Sequence, residues 1–485
     1  MSTKFNSKII NGSLWSLIGS SGYQLFGLVI FVLLSRILSP VDFGTAALAI
    51  VFVELANVIT RFGLVEVVVR TAKIDAESVN NDVFITTLGL GLMISALFLV
   101  AAPFLESFFE TPGLAVSLQL LSIVPFMQGL STVPEGTLRR DFKFKALAIR
   151  VLGSSVVAGI VAILLAFYGF GFYSLIIQRM LSTAFSLFLV WRNVAWRPKA
   201  YLSYQRVVRS LQQGLPIMLS ALIGQGIYRF VELIIGFFLG PVALGYYKIA
   251  GKLFDVIVQF TLKPIVEVSY SAFSKLKDSP IKLENCYFNF IRICSIFSFP
   301  AFVGVIVVGP EAVALFFGEK WQVSGQIIQI LCISGFSATL NWFFGSLCNA
   351  TDNSSIPFKI RIFEFCFVFV LVSICSQYSI YYVVIANVLV TTSITIVMIY
   401  ILNKIFEFSV KRICKQLLPP LFSAILMGII VFVSMHYLLN ELNLTLKLIC
   451  TVALGVVSYP LIYWIFFQKN VSVVITSVKR IFCQS

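Results

Sequence analysis

Long apolar runs separated by short charged clusters recur along the whole 485-residue chain. A helical crossing of a bilayer needs about 20 mostly apolar residues. Fourteen stretches qualify: 14–34, 43–60, 83–102, 114–133, 147–167, 170–190, 214–235, 242–266, 288–308, 324–347, 356–375, 381–401, 415–436 and 446–467. The seventh and eighth are the weakest, because both carry charged residues. None of the runs alternates with the two-residue period of a barrel strand, and hydrocarbon offers no partner to backbone N–H and C=O groups, so helices are expected. The pattern predicts an all-α membrane protein of about fourteen transmembrane helices. The first run is too long for a signal-peptide core, and no small-residue cleavage site precedes Arg36 and Pro40, so it is expected to remain as an anchor.

Composition agrees with this pattern. The chain is 59% hydrophobic and 12% charged, against about 25% charged in soluble domains. In water such a chain would expose large apolar patches; in a bilayer it would not. The formal charge of +15 does not point to nucleic acid, since the basic residues lie in short clusters between apolar runs and not in one aromatic-interleaved patch. Outside the fourteen stretches, loops on the amino-terminal side of the membrane hold 23 basic residues and the opposite loops hold Arg36 and Lys320, with Lys447 at the outer edge of the last stretch. One miscounted span would erase that asymmetry, because every later loop would change sides. Short cytoplasmic loops accumulate Lys and Arg, which places both termini in the cytoplasm.

Soluble chemistry has little material. All nine cysteines lie beyond residue 285 without a CxxC pair, and they read as small buried hydrophobes. The single histidine, His436, ends an apolar run. No catalytic residue, metal site or cofactor is expected.

The two halves resemble each other. Leu38-Ser39-Pro40-Val41-Asp42-Phe43-Gly44 matches Leu239-Gly240-Pro241-Val242-Ala243-Leu244-Gly245, 201 residues on. Gln119-Leu120-Leu121-Ser122-Ile123 matches Gln329-Ile330-Leu331-Cys332-Ile333, and Gly136-Thr137-Leu138 matches Gly345-Ser346-Leu347, at nearly the same offset. Six spans separate the copies, so both enter the membrane in the same sense. The expected organisation is a six-helix bundle at 1–200, a second at 201–405, and two further crossings with a cytoplasmic tail at 406–485.

Ionised residues inside a bilayer cost roughly 2.5 to 3.5 kcal/mol each and mark a cavity or a partner. They occur at Glu54 in the second span, Arg179 in the sixth, Arg229 and Glu232 in the seventh, and Lys248, Lys252 and Asp255 in the eighth. The last three fall within an arc of about 60° on a helix, a face that cannot look at lipid. Arg229 and Glu232 are three residues apart and can pair. Two readings stand. In one, Arg179, Arg229, Lys248 and Lys252 form a cationic cavity for a phosphorylated substrate; in the other, Arg229, Glu232, Lys252 and Asp255 form a salt-bridge network that holds the halves together. Glu54 either takes up and releases a proton during transport or pairs with Arg61 or Arg179. Lys263 and Arg292 lie where snorkelling explains them. Gln24, Asn341 and Trp342 are candidate sugar contacts or ordinary interhelical hydrogen-bonding groups.

The chain also resembles Wzx-type polysaccharide flippases of the multidrug/oligosaccharidyl-lipid/polysaccharide exporter superfamily, over essentially its full length. The resemblance rests on Asn11-Gly12-Ser13-Leu14-Trp15, the stretch 38–49, Arg61-Phe62-Gly63-Leu64, and Leu138-Arg139-Arg140-Asp141-Phe142-Lys143-Phe144. Gly169-Phe170-Gly171-Phe172-Tyr173 and Trp196-Arg197-Pro198 are similar to the exopolysaccharide and colanic-acid-type branch, with Tyr173 where that branch has Trp. The resemblance implies two V-shaped six-helix bundles and a cavity lined mainly by spans one, two, seven and eight. It further implies cytoplasm-to-periplasm flipping of an undecaprenyl-pyrophosphate-linked oligosaccharide in the bacterial inner membrane, coupled to a proton or sodium gradient or to neither. Polysaccharide polymerase and chain-length proteins would be partners. The rivals are a multidrug exporter or lipid II flippase of the same fold, a membrane glycosyltransferase or polymerase, and a scaffold without transport. Cations outnumbering acids speak against drug export, short external loops against an enzyme, and the intramembrane charges against a scaffold.

Overall fold

The computed structural model describes residues 2–72, 75–199 and 203–468, with only the backbone for 2–14, 16–18 and 20. The expected cytoplasmic tail beyond 468 lies outside the described residues. The described chain is helical, with no strand among the described residues. The helices run α1 (Ser2–Ile37), α2 (Pro40–Arg61), α3 (Leu64–Arg70), α4 (Ala76–Phe109), α5 (Leu114–Leu121), α6 (Ile123–Arg140), α7 (Phe144–Phe167), α8 (Tyr173–Arg192) and α9 (Tyr204–Phe238). They continue as α10 (Gly240–Thr261), α11 (Lys263–Leu276), α12 (Pro280–Phe317), α13 (Gln322–Ala350), α14 (Ser355–Cys375), α15 (Ile380–Phe406), α16 (Val410–Val433) and α17 (Leu444–Phe466).

Each of the fourteen predicted crossings falls on helix. Among the described residues eleven helical segments are long and apolar enough to cross a membrane, and a shorter apolar stretch, Ser21–Ile37, lies in α1. The remaining two, α10 and α14, have spanning length but carry three charges each: Lys248, Lys252 and Asp255, and Lys359, Arg361 and Glu364. Large apolar side chains stand exposed on these helices, such as Leu92, Met93, Leu97, Val100 and Phe104 on α4 and Val452, Val456, Leu461 and Trp464 on α17. On a multi-pass membrane protein these are the faces that lipid covers.

The helices cluster into two compact units, Met1–Gly245 and Tyr246–Ser485. In the first, Leu64, Val67, Val68, Val83, Phe84 and Val133 form a core against which Trp191 and Trp196 pack. Trp196 stacks on Trp191 at 6.0 Å and meets Phe84 edge-on at 5.6 Å. Its neighbourhood is tied to the start of α4, since Lys199 N–H donates to Asn81 and Ser203 N–H to Asp82. In the second unit Phe299, Val303, Ala424, Met427, Val431, Tyr459 and Ile462 join α12, α16 and α17. Asn341 there accepts a hydrogen bond from Thr395 at 2.9 Å, an interhelical contact between α13 and α15.

Apart from residues 11–15, which fall inside α1, the resemblance motifs lie at joints. Ser39 caps α2 in a capping box with Asp42, and Pro40 opens the helix. Asp42 also accepts the N–H of Phe172 at 3.1 Å, which ties the α7–α8 turn to the start of α2. The two copies of the repeated Pro-containing motif meet: a Cβ on Gly44 would strike the Pro241 carbonyl, and one on Gly245 would strike the Pro40 carbonyl. Both contacts lie within the first unit, and each copy presents its glycine to the other's proline. Only glycine permits so close a backbone approach.

Candidate functional site

Four of the seven predicted site residues come together inside the first unit. Helix α9 runs close along α2 because Gly214 sits against the Phe62 carbonyl and Gly236 against Leu48. A side chain between those two glycines on α9 can therefore reach α2. Arg229 does so: its Nη2 lies 2.6 Å from Oε2 of Glu54, and its Nη1 donates to Oε2 of Glu232 at 2.9 Å. Arg179, from α8, approaches the other Glu54 oxygen at 3.9 Å. The cluster thus holds two guanidinium groups and two carboxylates, with Glu232 buried and the other three partly accessible. Arg61 is not a partner of Glu54. It lies seven residues further along α2, about 10 Å away in rise, and bonds elsewhere.

Lys248, Lys252 and Asp255 share helix α10 within the second unit, at spacings of four and three residues. Lys252 stands within electrostatic range of both Lys248 and Asp255. Lys263 donates to Gln259 at 3.1 Å, and Arg292 to Gln416 at 2.5 Å.

A second charged group was not foreseen. Glu135 of α6 is 1% exposed and pairs with three arginines: Arg139 at 2.6 Å, Arg150 of α7 at 3.0 Å and Arg61 of α2 at 3.1 Å. Gln128 takes two further donors from Arg61, at 2.7 and 3.2 Å. The predicted fourth span stops at 133 and leaves Glu135 in a loop, whereas α6 continues to Arg140. The signal available in the sequence was the four-residue spacing of Glu135 and Arg139 across a helical turn.

The family model for polysaccharide biosynthesis proteins matches residues 33–326, more than half of the chain. The chain belongs to this family. The match spans all seven predicted site residues and the Glu135 group. The lipopolysaccharide biosynthesis protein WzxC of Escherichia coli K12 is 25% identical over 74% of this chain and 73% of its own length. The succinoglycan biosynthesis transport protein ExoT of Rhizobium meliloti 1021 is 24% identical over 69% of this chain and 68% of its own. Among solved structures, lipid II flippase MurJ in an inward closed conformation matches with a TM-score of 0.79 at 16% identity, over 94% of this chain and 100% of its own. An inward-facing MATE-family multidrug transporter matches at 0.65 and 17%, over 81% and 98%. The polysaccharide biosynthesis family member described here therefore has the exporter-superfamily fold that the resemblance implied.

Proposed function

We propose that the chain is a flippase that carries an oligosaccharide linked to undecaprenyl diphosphate from the cytoplasmic to the periplasmic leaflet of a bacterial inner membrane, for surface polysaccharide assembly. It acts as a carrier and not as an enzyme, with both termini in the cytoplasm. Two bundles, at 1–200 and 201–405, alternate access to a cavity between them, and the last two helices are accessory. Polymerase and chain-length proteins receive the product. The names of WzxC, ExoT and MurJ support the substrate class.

The observation that carries this reading is Arg229, a guanidinium inside the helices of a polysaccharide biosynthesis protein, shared between carboxylates on two helices. A diphosphate entering the cavity competes with Glu54 for that guanidinium, and Arg179 is in reach of the same place. Protonating Glu54, or binding a cation to it, releases Arg229 to the diphosphate, so one residue links a gradient to substrate binding. Lys248 and Lys252, on α10 of the second unit, are the further cations of this reading, while the polyprenyl tail remains in lipid.

The test replaces Arg229, Lys248 and Lys252 singly by Ala and follows surface polysaccharide. Each is expected to lower it by about tenfold or more, the loss of a charge-assisted hydrogen bond, at unchanged protein level. Normal polymer in all three variants removes the site.

A further inference from the structure

Two cavities open in the first unit along the amino-terminal half of α9. The smaller, about 180 Å³, is lined by Arg61, Arg139, Glu66, Val58, Met218 and Gln225. The larger, about 770 Å³, is lined by Arg70, Arg206, Arg209, Asp75, Ser78 and Gln213. Ile217 lines both, so the cavities adjoin at that residue. The smaller lies at the ends of α2 and α6, and the larger between α3 and the starts of α4 and α9, which is the end of the unit that carries the basic loops.

Their walls are cation-rich. Five arginines face two acids, Glu66 and Asp75, among the lining residues. Arg206 is fixed at 2.6 Å by the fully buried Asp82, and Arg61 and Arg139 are fixed by Glu135. Each guanidinium has five N–H donors in a rigid fork, so fixing one edge orients the others without exhausting them. Arg70 and Arg209, both exposed, have no ion-pair partner among the described residues.

Helix α9 joins this end to the deeper cluster. Arg209, Gln213, Ile217, Ala221 and Gln225 follow one another at four-residue steps, the ridge spacing of a helix surface, and each lines one of the cavities. The next step is Arg229.

We propose that the two cavities are a loading site, which takes the diphosphate headgroup at the cytoplasmic end of the first unit before it passes along the α9 ridge to Arg229. The inference rests on the flippase reading. The chemistry recognised is a phosphate-bearing headgroup held by paired guanidinium groups, each able to grip two oxygens at once. A diphosphate, with more charge than the single phosphate of an ordinary phospholipid, gains more from five arginines and is less deterred by the two acids.

The experiment uses the full chain in phosphatidylcholine nanodiscs, titrated with undecaprenyl diphosphate. The Arg70→Gln/Arg209→Gln double variant removes two guanidinium groups that have no ion-pair partner among the described residues, and it is expected to weaken binding by about tenfold. The Arg70→Lys/Arg209→Lys variant keeps the charge without the fork and is expected to fall between it and the parent. Unchanged binding in the double Gln variant, alongside loss in Arg229→Ala, overturns the loading site and leaves the flippase reading standing. No binding by the parent chain overturns both. Binding abolished equally by adding phosphatidylglycerol to the discs assigns the cavities to bilayer lipid and overturns the loading site.

Discussion

Two charged groups inside the first unit solve opposite problems. In the Glu54 cluster one arginine, Arg229, is shared between two acids on two helices, with Arg179 at a distance. In the Glu135 group one acid is shared among three arginines. A buried charge left without a partner is expensive, and a pair is rarely worth more than the apolar packing that might replace it. The number of alternative partners therefore decides what each group can do. Arg229 keeps Glu232 if Glu54 lets go, so the cluster can exchange a carboxylate for a ligand. The three arginines pair with no second acid among the described residues, so Glu135 is committed to holding the ends of α2, α6 and α7 together.

Removing each acid in turn probes this difference. Glu135→Gln leaves three guanidinium groups facing a neutral amide and is expected to destabilise the chain by about 3 kcal/mol. For a unit of this size that lowers the heat-unfolding midpoint of the purified protein by about 6 °C or more. A midpoint equal to the parent's would show that water or lipid already satisfies those arginines. Glu54→Gln, which leaves Arg229 its second acid, is expected to lose only about 1 kcal/mol while tightening binding of undecaprenyl diphosphate. Equal destabilisation by the two variants would erase the distinction between a structural acid and an exchangeable one.

The same contrast explains what was legible in the sequence. Crossings were readable because a bilayer imposes a length and an apolarity on each one, and fourteen such lengths lie on helix. Their ends were not. α4 runs Ala76–Phe109 around a predicted 83–102, and α12 runs Pro280–Phe317 around 288–308, since a helix need not stop where its lipid-facing stretch stops. The break between α2 and α3 at Phe62 and Gly63, both with positive φ, depends on packing against α9 that no local pattern announces. Arg229 and Glu232 were readable as a pair because three residues bring them to one helix face. Glu54 was singled out by its depth, but its main partner lies 175 residues away on α9, a proximity only the tertiary packing supplies. Glu135 escaped notice because its acidity was charged to a loop that is helix.

The smallest expected effect on stability belongs to Arg179. Its 3.9 Å approach to Glu54 is long for an ion pair, its side chain is about a third exposed, and Glu54 retains Arg229 at 2.6 Å without it. Arg179→Gln is therefore expected to change stability by no more than about 0.5 kcal/mol, a shift of about 2 °C or less in the heat-unfolding midpoint. If Arg179 serves the ligand and not the fold, surface polysaccharide should still fall several-fold in the same variant. A variant silent in both measurements would leave Arg229 as the sole arginine acting on the headgroup in this cluster. One that loses stability and polymer together would place Arg179 with Glu135, among the charges that the fold itself requires.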